Sequence, residues 1–147
     1  MKNSDMFLDT NVLVYATGSD VQYGRKYEIA LGLLNDPMGN YFISNQIINE
    51  YFRVTTSRNT LENCLTIDQA IKNIKRFLSI SSLITIPPYT LFSFEDDIKK
   101  YKILRRMIFD YCIYYTMKQH EILRIITCNE KDFVQFEGIE IINPFKE

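Results

Sequence analysis

The sequence is poor in the residues on which several common kinds of site depend. Its 147 residues include one histidine and three cysteines, Cys64, Cys112 and Cys128, with no Cys-x-x-Cys pair. A disulfide framework, a zinc knuckle and a serine–histidine triad are therefore not indicated, and the cysteines are typical of reduced thiols. Neither glycine-rich phosphate motif, Gly-x-Gly-x-x-Gly or Gly-x-x-x-x-Gly-Lys-Ser/Thr, occurs, so nucleotide-binding chemistry of those kinds has no support.

The chain also lacks a strong excess of charge and a long apolar run. It has 17 basic and 18 acidic residues, a net charge of −1, so any surface that binds nucleic acid must be a local patch. No stretch approaches the roughly 20 apolar residues of a membrane span, and the apolar run after the amino terminus is too short for a signal peptide. With 46% apolar residues, we expect one well-packed cytoplasmic domain over residues 1–147.

Short apolar segments alternate with stretches of helical periodicity. Strands are predicted at residues 5–8, 41–43, 83–86, 124–127 and 139–142. Helices are predicted at 23–35, 46–57, 66–78 and 109–119, with a further helix that opens at Ser93. Strands separated by helices predict an α/β domain with a mostly parallel sheet, flanked by helices on both faces.

The most informative segment is 6–16, in which an apolar run ends on Asp9 and resumes directly after Asn11. This pattern is typical of a strand that leaves a sheet and turns into a helix. Ligands of open α/β sheets bind outside the carboxyl ends of the strands, and Asp9 is predicted to lie there. The alternative is that Asp9 or Asn11 merely caps the helix, which requires only one of the two.

Two further acids are predicted on helices. Glu50 lies at the edge of an apolar stripe, from which a carboxylate can reach the rim of a cleft; an ordinary boundary glutamate is the alternative. Asp110 lies in a helix that is apolar almost all round, where an unpaired carboxylate is costly. A salt bridge to Arg105 or Arg106 is the alternative to a bound cation.

A fourth acid follows the strand predicted at 124–127. Asp132 and Glu130 are both candidates, and the periodicity of so short a segment does not decide which one points inward. A helix start capped by Asn129 is the structural alternative. Four carboxylates from separate elements, without histidine or cysteine ligands, favour Mg²⁺ or Mn²⁺ over zinc. Whether one or two cations bind stays open.

The residues resemble those of PIN-domain ribonucleases, and among these the VapC-like toxins of bacterial toxin–antitoxin pairs. The resemblance rests, in chain order, on the segment 8–13 with its Asp9-Thr10-Asn11 motif, on Asn49-Glu50, on the helix around Asp110, and on segments 127–133 and 139–145. It implies a parallel five-stranded sheet, Mg²⁺ or Mn²⁺ as cofactor and cleavage of single-stranded RNA. It also implies a homodimer and inhibition by a small antitoxin protein.

The resemblance assigns the catalytic, metal-binding positions to four acids, Asp9, Glu50, Asp110 and Asp132. It assigns the polar positions that orient these acids to Thr10, Asn11, Thr127 and Asn129. One stretch departs from the family pattern: Tyr114 and Tyr115 stand in a helix that is usually rich in alanine. These larger side chains are expected to alter either the packing of the helix or the contact between subunits.

Basic residues lie on both sides of the predicted acids. Arg53 follows Glu50, and Arg105 and Arg106 precede Asp110, so these side chains are candidates to hold the phosphates of RNA. The alternative is a solvated helix face whose basic residues pair with neighbouring acids.

Two other functions compete with the ribonuclease hypothesis. One is a catalytically inactive domain of the same fold that serves as an RNA- or protein-binding scaffold; retention of all four acids argues against it. The other is a phosphotransfer domain with Asp9 as nucleophile, but Thr10 and Asn11 do not supply the second acid expected beside it. The sequence names neither the RNA target nor an antitoxin.

Overall fold

One parallel sheet organises the part of the chain that the computed structural model describes, residues 4–58, 63–89 and 91–147, with the backbone alone at 91–93. The sheet has the order β3-β2-β1-β4-β5, and each neighbouring pair is parallel. Its strands are β1 (Asp5–Leu8), β2 (Asn40–Ser44), β3 (Ser81–Ile84), β4 (Arg124–Ile126) and β5 (Glu140–Ile142).

Helices connect the strands and cover both faces of the sheet. They are α1 (Thr10–Ala16), α2 (Asp20–Tyr23), α3 (Arg25–Leu34), α4 (Asn45–Thr55), α5 (Ile67–Ile80), α6 (Leu91–Lys100) and α7 (Met107–Gln119). Phe7 and Leu8 are adjacent in β1 and point to opposite faces, yet both are fully buried. The carboxyl-terminal half of this central strand is therefore buried on both faces, as expected of a parallel sheet that helices cover on both sides. None of the described helices is long and apolar enough to span a membrane.

The order of the strands places a crevice beside β1. The chain runs from β1 outward to β2 and β3, and then crosses to β4 and β5 on the other side of β1. The backbone N–H of Asp9 donates to the carbonyl oxygen of Ile126 (3.1 Å), and that of Thr127 donates to Ile142 (3.0 Å). The residues that follow β1 and β4 therefore lie side by side at the point where strand order reverses, which is where open α/β sheets bind ligands.

The predicted α/β fold with its five-stranded parallel sheet is confirmed, with differences at the ends of elements. The third strand begins at Ser81, directly after α5, rather than at residue 83. The helix predicted at 23–35 is divided by Gly24, whose φ of +53° separates α2 from α3. The helix expected to open at Ser93 begins at Leu91, and the side chain of Ser93 lies outside the described residues.

Tyr114 and Tyr115 are both buried within the chain. The ring of Tyr114 stacks on Phe136, with 4.6 Å between ring centroids, and the hydroxyl of Tyr115 donates to the carbonyl oxygen of Pro88 (3.2 Å). Both side chains therefore pack within the chain, and the expected effect on the contact between subunits stays a prediction. They belong to a set of aromatic residues that joins α6, α7 and the segment before β5.

Two buried tyrosines provide a matched test of hydrogen bonding in the core. The Tyr51 hydroxyl donates to Thr17 (2.8 Å) and accepts from Asn73 (2.9 Å), which ties α4 to α1 and α5. The buried Tyr41 hydroxyl has no partner among the described residues. We expect Tyr51→Phe to lower the free energy of unfolding by about 1–3 kcal/mol and Tyr41→Phe to leave it unchanged or raise it. Urea denaturation of both variants measures the difference; equal losses would contradict this account.

Candidate active site

All four predicted acids line one cleft at the carboxyl ends of β1 and β4. The cleft has a volume of about 450 Å³. Asp9 directly follows β1, Glu50 lies on α4, Asp110 lies in the first turn of α7, and Asp132 ends a short 3-10 helix, Glu130–Asp132. Four separate segments thus bring carboxylates to a single polar opening.

Asp9 is the most buried of these acids, with 7% of its surface exposed. Its Oδ1 accepts the backbone N–H of Thr10 (2.8 Å), and its Oδ2 accepts the Asn11 amide (2.9 Å) and the Thr127 hydroxyl (2.6 Å). Burial raises the pKa of Asp9, and the charge of Glu50 raises it further, whereas the three donors lower it. Asp9 is the N-cap of α1, as the alternative expects. Only the Thr10 N–H among its three donors is a backbone group of the first helix turn, and the other two donors are the side chains of Asn11 and Thr127.

Thr127 is the centre of the hydrogen-bond network around Asp9. Its fully buried hydroxyl donates to Asp9 and accepts from the Asn11 amide (3.2 Å) and the backbone N–H of Asn129 (2.9 Å). Because a hydroxyl has one hydrogen and two lone pairs, its capacity is fully used. Asn11 in turn accepts the backbone N–H of Cys128 (3.1 Å). Asn11 therefore joins two loops instead of capping its helix.

Glu50 is half-buried and held from two sides. Its Oε2 accepts the Thr10 hydroxyl at 2.7 Å. The Gln46 amide lies 3.5 Å from its Oε1 and donates to the Phe109 carbonyl oxygen at 3.0 Å. Gln46 thus connects α4 to the helix that carries Asp110. The sequence hypotheses did not include Gln46, although its position one helical turn before Glu50 is a usable signal.

The surroundings of Asp110 also raise the pKa of its carboxyl group. Burial raises its pKa to about 7, and the charges of Asp132, Asp9 and Glu50 contribute in that order, whereas Arg106 lowers it. Within the described part of the chain, no ion pair joins Asp110 to Arg105 or Arg106. The salt-bridge alternative thus has no support in the geometry.

Asp132 and Glu130, the two acids between which the sequence did not decide, point in different directions. Asp132 lines the cleft. Glu130 accepts hydrogen bonds from Lys146 (2.8 Å) and Asn143 (3.2 Å), which lower its pKa. Of the two, Asp132 alone is therefore placed to act at the cleft.

The acids surround the cleft but do not form a ready-made ligand set. Among the described residues, no three histidine, cysteine, aspartate or glutamate side chains converge closely enough to hold a metal ion as they lie. The chemistry of the donors nevertheless fits a hard divalent cation, because the cleft offers carboxylate oxygens and their charges act on one another. The role of these side chains as ligands stays a prediction.

The predicted basic residues divide into two groups. Arg53 and Arg106 line the cleft, whereas Arg105 does not line it and is exposed, with a φ of +53°. Lys99, on the preceding helix, pairs with Glu95 as the solvated-face alternative expects. Tyr15 and Tyr23 also line the cleft; the sequence hypotheses missed both because neither stands beside an acid in the chain.

The protein is a parallel α/β domain with an acidic cleft at the point where the strand order reverses. The sequence model of the PIN domain matches residues 6–139. The chain therefore belongs to the PIN domain family, and the resemblance to that family is confirmed. Among proteins of curated function, none matches this chain significantly in sequence.

Solved structures of toxin–antitoxin proteins share the fold. VapBC2 from Rickettsia felis, bound to a fragment of promoter DNA, is similar with a TM-score of 0.62 at 19% identity, over 95% of this chain and 98% of that one. DNA-bound VapBC from Salmonella typhimurium gives 0.59 at 16%, over 94% and 96%. VapC20 of Mycobacterium tuberculosis, a toxin that cleaves the sarcin–ricin loop, gives 0.50 at 10%, over 82% and 86%. At such identities the likeness is one of fold.

The raised pKa of Asp110 predicts how stability depends on pH. Without divalent cations, the folded protein holds a proton on Asp110 at pH values at which the unfolded chain, with a carboxyl pKa near 3.8, has released it. This group's contribution to the free energy of unfolding therefore falls as pH rises from about 4 to about 7. In EDTA at pH 8, Asp110→Asn should melt above the parent, and near pH 4 the two should melt together.

Adding Mn²⁺ should reverse the order of the two melting temperatures. Coordination stabilises the folded parent, and the variant, which lacks the charge, gains little. Glu130→Gln is the matched control, because it removes a neighbouring charge outside the cleft and should keep the response to Mn²⁺. If Asp110→Asn melts lower in EDTA and Mn²⁺ shifts parent and variant equally, Asp110 has a structural role and is not a ligand.

Proposed function

We propose that this protein is a divalent-metal-dependent endoribonuclease that cleaves single-stranded RNA and is the toxin component of a toxin–antitoxin pair. The observation that carries the proposal is the convergence of Asp9, Glu50, Asp110 and Asp132 on one cleft in a PIN domain. Cooperation of the four carboxylates is supported by the pKa of Asp110, which the charges of the other three raise.

The four acids are proposed to hold Mg²⁺ or Mn²⁺, with Asp9 and Asp110 as the principal ligands. Such a cation, when bound, lowers the pKa of water and stabilises negative charge on phosphoryl oxygens. Asp9 is kept in place by its three hydrogen-bond donors, so its carboxylate is oriented before any ligand arrives. Glu50 and Asp132 complete the site directly or through water, and either one can orient the attacking water.

The positive side chains bring the substrate to this acidic opening. Arg53 and Arg106 line the cleft, and neither forms an ion pair with a described residue. We assign to them the binding of backbone phosphates on either side of the scissile linkage. The Thr10 hydroxyl keeps Glu50 directed towards the cleft. Glu50 can therefore orient the attacking water while Arg53 and Arg106 hold the phosphates.

The biological setting is part of the same proposal. Two of the similar structures are VapBC complexes, and the third is a toxin that cleaves the sarcin–ricin loop. By this analogy of fold we propose a small antitoxin partner, a homodimer and action in the cytoplasm, with residues 1–147 forming one PIN domain. The three described cysteines are free thiols, which agrees with a reducing compartment.

Asp9→Asn tests the proposed activity directly. The amide keeps the size of the side chain but removes the charge that attracts the cation, so cleavage of single-stranded RNA in Mg²⁺ or Mn²⁺ should fall by at least about 100-fold, the scale of losing a main catalytic group. Asp68→Asn, at an exposed position of α5, is the control and should cleave at the parent rate.

Two results would contradict this proposal. If Asp9→Asn cleaves RNA at the parent rate, Asp9 is not a principal ligand. If the parent itself cleaves no single-stranded RNA in either metal, the domain is an inactive scaffold, the alternative that the sequence left open. Circular dichroism of each variant confirms that the fold is retained.

A further inference from the structure

A second cavity, which we call the side groove, adjoins the acidic cleft. Its volume is about 590 Å³, within the range of about 300–1,000 Å³ that is typical of pockets for small ligands. The side groove lies between α4 and the start of α7 and is also lined by Ile86, which follows β3. The mechanism proposed above makes no use of it.

One wall of the side groove is a row of polar side chains on α4. Asn45, Asn49 and Arg53 are spaced by four residues, so they lie along one line of the helix surface and all line this cavity. The amides of Asn45 and Asn49 are exposed and form no hydrogen bond with any described residue. Free amides supply both donors and acceptors, the groups that read the edges of an unpaired nucleobase.

The opposite wall presents an aromatic ring. Phe109 precedes Asp110, lines the side groove and leaves 55% of its surface exposed. Its carbonyl oxygen accepts the Gln46 amide at 3.0 Å, so the backbone that carries the ring is anchored to α4. An exposed, positioned aromatic ring beside an acidic site is a platform on which a base can stack.

The side groove and the cleft share a border formed by Glu50, Arg53 and Arg106. A nucleic-acid strand that crosses from the cleft into the side groove therefore passes two cationic side chains. Backbone phosphates suit this border because guanidinium groups bind them with two parallel hydrogen bonds. Free amides, an aromatic face and two arginines together favour a nucleotide over an apolar peptide as the occupant.

We propose that the side groove binds the base of an unpaired nucleotide next to the scissile linkage, with Phe109 stacking on the base and the amides of Asn45 and Asn49 contacting its edge. This inference rests on the proposed function, because the scissile phosphate is taken to lie in the acidic cleft. It makes the side groove a determinant of which RNA sequence is cleaved.

An abasic scan tests the side groove. Each nucleotide of a short single-stranded RNA substrate is replaced in turn by an abasic one, and kcat/KM is measured with Mn²⁺ for the parent and for Phe109→Ala. For the parent, we expect one position next to the cleavage site at which loss of the base lowers kcat/KM at least about fivefold, the scale of one base–aromatic stack. Phe109→Ala should cleave the intact substrate as poorly as the parent cleaves that abasic one.

Two further variants separate stacking from general damage to the surface. Phe109→Trp keeps an aromatic face, so loss of the base at the same position should again lower kcat/KM, as it does for the parent. Met38→Ala removes another exposed apolar side chain, one that does not line the side groove, and should give the same abasic profile as the parent. Asn49→Ala should reduce discrimination among the four bases at that position more than it reduces overall kcat/KM.

The outcomes distinguish this inference from the proposed function beneath it. If RNA is cleaved in a manner that depends on metal and on Asp9, but the parent and Phe109→Ala give the same abasic profile, the base site is wrong and the side groove is left as a surface for a protein partner. If no single-stranded RNA is cleaved at all, the proposed function fails and the base site fails with it.

Discussion

The structure depends on the burial of one carboxylate, Asp9, at the carboxyl end of the central strand of a parallel sheet. Removing an aspartate from water costs several kcal/mol unless donors satisfy it, and Asp9 has three of them. They come from the turn after β1 and, through Thr127, from the loop after β4, two segments that only the parallel pairing of these strands brings together. The orientation of Asp9 therefore depends on the pairing of β1 with β4 in the sheet.

Much of this arrangement is visible in local sequence patterns. The polar turn after the apolar run 6–8 predicts the place of Asp9, because the carboxyl ends of parallel strands share an edge. The fate of Glu130 was not predictable, since it is decided by Lys146 and Asn143, whose approach depends on β5. The bridge from Gln46 to Phe109 joins residues 63 positions apart, and no periodicity within either helix predicts such a contact.

The same constraint gives the cleft its chemical character. A network that holds Asp9 in place also holds it near other acids, so carboxylates that would be ordinary on a surface become electrostatically coupled. The pKa of Asp110 is raised first by burial and then by the charges of the other three acids. Under the proposed function, a bound cation would relieve this repulsion and the arginines at the border would hold phosphates, so that one opening would serve both a metal and an anionic polymer.

The central claim is that the four acids hold a divalent metal, and anomalous diffraction from crystals grown with Mn²⁺ tests it most directly. The account predicts an anomalous difference peak in the cleft, in contact with the carboxylates of Asp9 and Asp110, and its loss in crystals of Asp9→Asn. Manganese peaks confined to other surfaces, or a cleft peak that survives in Asp9→Asn, would contradict it.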